Sequence, residues 1–163
     1  MAGQADLMDD PVKFVLFGIL RDLTNGMWQV SGEGCGGISR AFGESLWEAV
    51  DTLIDLKTGS TGSKIDRSTP ETAMDGLIEM AKMYELAADV DYEIDDDSLM
   101  ISVRNCNLHH YTDSIEAAGT PRSVGCPYAL SSVALMEEIT GELFVIDNIE
   151  SKDGNSKIVI KKL

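Results

Sequence analysis

The run Val90-Asp91-Tyr92-Glu93-Ile94-Asp95-Asp96-Asp97-Ser98-Leu99-Met100-Ile101-Ser102-Val103 decides the fold class. Up to Ala88 the apolar residues recur at helical spacing. From Val90 they alternate with acids, and a period of two is the signature of a strand with one buried face. Three successive aspartates make a turn, and the alternation resumes as a second strand, so residues 90–94 and 99–104 form an antiparallel hairpin. A second pair, 143–149 and 157–162, flanks the turn Asp153-Gly154-Asn155. Strands that come in pairs, not alternating with helices, predict an α+β fold with helices packed on one face of a four-stranded antiparallel sheet.

Working back toward the N-terminus, Asp9 or Asp10 is placed to cap a helix that Pro11 opens. Val12, Val15, Leu16, Ile19 and Leu23 form its inward stripe, and Asn25-Gly26 ends it. Phe14, Phe17 and Leu20 lie off that stripe, so the helix is either central in the core or shared with a second subunit, and a homodimer is expected. Four glycines in Ser31-Gly32-Glu33-Gly34-Cys35-Gly36-Gly37 predict a loop. A second helix follows over 38–56, with Phe42, Leu46, Ala49, Val50 and Leu53 buried and Trp47 and Ile54 widening the stripe. Residues 57–64 read as an exposed connection. Ser68 or Thr69 caps a third helix, with Met74, Leu77, Ile78, Ala81 and Tyr84 inward. Residues 105–125 are irregular or briefly helical. The last helix covers 127–140, turns Leu130, Val133, Ala134 and Met136 inward, and stops at Gly141. Residues 1–10 are expected to be a flexible N-terminus and 11–163 a single domain.

The chain has 163 residues and a formal net charge of −15, from 28 acids against 13 Lys and Arg. That balance argues against a nucleic-acid partner, which needs a basic face, and against attraction to anionic lipid. No run approaches the length of a membrane span, and the start lacks a basic leader, so a cytoplasmic protein without membrane insertion is expected. Three cysteines, an odd number, point to reduced thiols, metal ligands or a redox site over a structural disulfide.

Cys106, His109, His110 and Cys126 carry the densest chemistry. Both histidines and two of the three cysteines fall within twenty-one residues. Thiolate and imidazole together suit zinc or iron, with Cys35, an acid or a water completing the shell; the competing reading is two small buried thiols and two surface histidines. Cys126, between Gly125 and Pro127, stands at a helix N-cap, where free amides and the helix dipole favour a thiolate and lower its pKa. It is expected to approach Cys106 or a histidine in space.

The loop at Gly32–Gly37 lacks the Gly-Lys-Ser/Thr end of a phosphate loop. There is no nucleophile elbow and no zinc-protease signature, so no catalytic residue is assigned. Eight methionines and a surplus of aromatics suit either plain core or a pocket for a small apolar molecule, with Phe14, Phe17, Phe42, Trp47, Met80 and Tyr84 as lining.

The order of elements, with Gly43-Glu44-Ser45-Leu46-Trp47-Glu48, a strand running into Cys106, Gly125-Cys126-Pro127-Tyr128 and the closing hairpin at Gly154, resembles the 4-vinyl reductase or hydrocarbon-binding domain family, whose fold is shared with transport-protein-particle subunits. The resemblance implies a ligand pocket between helices and sheet, a dimer and a sensory role, with action on a tetrapyrrole-like ring as an alternative. Family members that hold zinc do so with cysteines near the closing hairpin. Residues 150–156 of this chain contain none. A metal or thiol redox protein centred on Cys106, His110 and Cys126 is the reading from a different class.

Overall fold

A computed structural model describes residues 11–59 and 65–163. The expectations for 1–10 and for most of the 57–64 connection lie outside these residues. The sheet is the expected one: β1 (Asp89–Asp95), β2 (Ser98–Arg104), β3 (Phe144–Lys152) and β4 (Asn155–Lys162), all antiparallel in the order β1-β2-β4-β3. Each hairpin closes through two residues. Asp153 and Gly154 both have positive φ, at 51° and 77°, which matches the right-handed twist of the flanking strands. Val90, Leu99, Ile101, Val103, Ile158 and Ile160 fill the inner face, aligned by registers such as Leu99 with Ile160 and Ile101 with Ile158.

The helices are α1 (Pro11–Ser31), α2 (Gly36–Thr58), α3 (Pro70–Met83), α4 (His109–Ala117) and α5 (Pro127–Thr140), of which α3 and α5 pack directly on the sheet. Thr69 caps α3 in a reciprocal box with Thr72, and Met74, Leu77 and Ala81 face the core as expected. The central helix is α5, buried continuously from Tyr128 to Met136 and ended by Gly141 in the left-handed region at φ 71°. It lies between the sheet and α2, and the α2 crossing is so close that Gly43 sits against the Leu130 carbonyl. Arg67 joins this pair from outside, reaching Asp51 of α2 at 2.7 Å and Glu138 of α5 at 3.1 Å.

The first two helices depart from expectation. Asn25-Gly26 does not stop α1, which runs on to Ser31. The glycine-rich stretch is a 3-10 turn, Gly32–Cys35, joining α1 to α2 almost without a break. The expected core stripe of α1 is the exposed one: Val12, Val15, Leu16, Ile19 and Leu23 face outward. Polar residues face in instead. Thr24 Oγ1 is 2.8 Å from Tyr111 Oη, and Thr120 donates at 2.7 Å to the buried Asn25 side chain, while Phe17 leans on Tyr111 with ring centroids 6.3 Å apart. These ties orient α1, because breaking them would strand buried polar groups. Phe42 and Ala49 of α2 are likewise exposed, contrary to the expected stripe. Among the described residues no helix is long and apolar enough to cross a membrane.

Candidate functional site

The end of β2 and the start of α5 carry the two informative cysteines. Asn105, at φ 48°, turns the chain out of β2, and Cys106 follows with its N–H donating to Gly154 O at 2.8 Å. The Cys106 carbonyl accepts from the His109 N–H and faces His109 Nδ1. The His109 ring stands over Gly154 and beside the His110 ring, centroids 3.8 Å apart. His110 has its pKa lowered, by burial first and by His109 second, with Asp113 opposing. The shift favours the neutral imidazole at His110.

Cys126 is the N-cap of α5, as its neighbours imply, with φ −71° and ψ 111°. Its expected acidity is overturned. Burial pushes the thiol from 9.0 up to about 11; the amides of Ala129 and Tyr128 pull the other way but do not offset it, and Cys106 pushes further upward. The helix end is real, but a thiolate 6% exposed loses more hydration than the dipole returns. Cys106, 7% exposed, is raised for the same reason, against the amides of Leu108 and His109. Both thiols are free, and both stand within electrostatic reach of each other and of Tyr128.

Tyr128 was not among the expected site residues. It directly follows the Gly125-Cys126-Pro127 motif, which is the only signal that could have found it. Its side chain is 5% exposed, its hydroxyl has no hydrogen-bond partner, and burial with the two thiols pushes its pKa upward. It lines an apolar cavity of about 190 Å³ with Leu46, Met80, Leu86, Leu108 and Ser131. A larger cavity of about 540 Å³ lies elsewhere, between the 3-10 turn, α5 and β3, lined by Trp28, Cys35, Ser39, Arg40, Leu130 and Phe144. Cys35 thus sits at a second place, the N-cap of α2.

The residues expected to line one ligand pocket are dispersed. Phe14 and Phe42 are exposed on the outer faces of α1 and α2, Phe17 packs on Tyr111, and Tyr84 packs against the core beyond α3. Met80 borders the small cavity; the Trp47 side chain lies outside what the structure describes. Of the expected metal set, Cys106, His109 and His110 are neighbours and Cys126 shares the core with Cys106. Among the described residues no three of His, Cys, Asp and Glu are arranged to hold a metal ion.

A family described as "Putative rubredoxin C-terminal domain" matches residues 15–163. A protein of Methanothermobacter thermautotrophicus (strain Delta H) named "Putative rubredoxin" is 27% identical over 137 residues, which cover 84% of this chain and 66% of that protein. The chain thus spans just under two thirds of that relative's length. No solved structure matches the chain. These matches overturn the resemblance to the 4-vinyl reductase family, and the tetrapyrrole alternative falls with it. They lend no support to an apolar ligand.

Proposed function

Because the chain belongs to the "Putative rubredoxin C-terminal domain" family, we propose that it is a domain of an iron-linked redox protein whose own chemistry rests on the thiols of Cys106 and Cys126. One observation carries this reading: two cysteines twenty residues apart in sequence belong to one buried core cluster, with the unpartnered Tyr128 hydroxyl in the same cluster and each thiol within the other's field. The family's description suggests iron. An iron centre of four thiolates needs four cysteines, and this chain has three, with Cys35 in a different cavity and the other two held protonated by burial. The residues present do not fit such a centre, so the reading assigns its iron to a part of the protein or a partner outside the described residues.

The dithiol chemistry balances simply. Two thiols lose two protons and two electrons as one sulfur–sulfur bond forms, with the electrons taken by an external acceptor. Burial makes the pair slow to react with bulky reagents, since a thiol reacts as the thiolate and needs access.

The test is oxidation with diamide, a two-electron, two-proton acceptor, followed by peptide mass mapping, with iron and zinc measured on the same preparation. A Cys106–Cys126 disulfide, absent after reduction and absent in Cys126→Ser, is the expected result. Unchanged thiols under oxidant refute the dithiol. Stoichiometric metal that Cys126→Ser or His109→Gln abolishes would instead establish the metal reading at Cys106, His109, His110 and Cys126.

A further inference from the structure

The outward side of α1 is itself a pattern. Val12, Leu16, Ile19, Leu23, Gly26 and Val30 follow one another at spacings of four, three, four, three and four, the a/d repeat of a helix-pairing seam. The large members are exposed, Val12 to 67%, Leu23 to 66% and Val30 to 88%. The outer side of α2 repeats the spacing with Ile38, Phe42, Ser45, Ala49, Thr52 and Leu56, every one exposed. The two hydroxyls in that row are turned onto their own helix: Ser45 donates to Ala41 O and Thr52 to Glu48 O. They can therefore be covered without being stranded. Eleven of the thirteen large apolar side chains exposed among the described residues lie on these two helices.

We propose that a second copy of this chain covers these faces in a two-fold symmetric dimer with the α1 seam at its centre. The area fits. The eight large apolar side chains of the two rows, Val12, Leu16, Ile19, Leu23, Val30, Ile38, Phe42 and Leu56, expose on the order of 100 Å² each, so together they present on the order of 800 Å², matching the roughly 800 Å² per partner of a stable interface. The pattern fits a helix as occupant, because a 3.5-residue repeat matches another helix along its whole length. Gly26, whose Cβ position meets nothing within 4 Å, leaves room for close approach. A self-complementary patch needs no second protein. An anionic membrane is the poorer occupant: the chain carries −15, and Lys13 and Arg21 are the only basic residues of α1. This inference is independent of the thiols.

The test is sedimentation-equilibrium mass measurement on the full chain at micromolar concentration, with Leu16→Glu/Leu23→Glu as the interface variant and Leu143→Glu, exposed but off the seam, as control. Wild type and control are expected at twice 17.7 kDa and the double variant at 17.7 kDa with unchanged far-UV circular dichroism. Independently of any variant, amide exchange across α1 should slow as wild-type concentration rises. A monomeric wild type, a double variant that stays dimeric, concentration-independent exchange in α1, or a monomer that binds phosphatidylglycerol vesicles would each overturn the proposal.

Discussion

Replacing Gly43 by alanine tests the helix crossing on which the fold depends. An ideal Cβ there would stand 2.4 Å from Leu130 O, 2.9 Å from Leu130 C and 3.2 Å from Ala134 Cβ. An ordinary carbon–oxygen contact closes at about 3.3 Å, so α2 and α5 must part by nearly an ångström. Nothing flexible can yield, because the nearest atoms are α5 backbone. Overpacking of this sort costs roughly 1–3 kcal/mol, while alanine's helix preference over glycine returns about 1 kcal/mol, leaving a net loss of up to about 2 kcal/mol. At this chain length the upper end of that loss lowers Tm by roughly 4–8 °C. Gly18→Ala, where a Cβ meets nothing within 4 Å, should instead gain up to about 1 kcal/mol. Urea titrations followed by far-UV circular dichroism, at one protein concentration, give both numbers. Ala134→Gly should not rescue Gly43→Ala, since it removes only the longest of the three contacts. If Gly43→Ala stabilises the protein as much as Gly18→Ala does, the close crossing is not there and the reasoning fails.

Tyr128→Phe should raise stability by about 1 kcal/mol or more, because it removes a buried hydroxyl that has no partner; a loss in the same urea titration would mean that the hydroxyl is bonded. The Cys126 thiol, pushed up to about 11 in the fold, holds its proton where an unfolded thiol has lost it, so stability is full below about pH 9 and falls as pH rises through about 11, by on the order of 3 kcal/mol. Cys126→Ser should flatten that part of the pH–stability curve, and an unchanged slope counts against the burial argument. Thr120→Val strands the Asn25 side chain and should cost about 1–3 kcal/mol while accelerating amide exchange in the C-terminal half of α1; no change in either would show that this tie does not orient the helix.

The hairpins were legible because their cause is local. Alternation in 90–103 and the Asp153-Gly154 turn specify pairing between neighbours in sequence, and registers such as Tyr92 with Ile101 follow from it. The caps of α3 and α5 were legible for the same reason: Thr69-Pro70 and Cys126-Pro127 act within one turn. The orientation of α1 was not. Its apolar stripe was visible, but which side faces the domain depends on Tyr111 and Thr120, about ninety residues away, whose hydroxyls hold Thr24 and Asn25 inward. The thiols divide the same way. The N-cap position of Cys126 could be read from residue order, since it follows from Gly125 and Pro127 on either side. The direction of the Cys126 pKa could not, because desolvation is set by everything the fold packs around the sulfur, and that packing outweighs the helix end next to it.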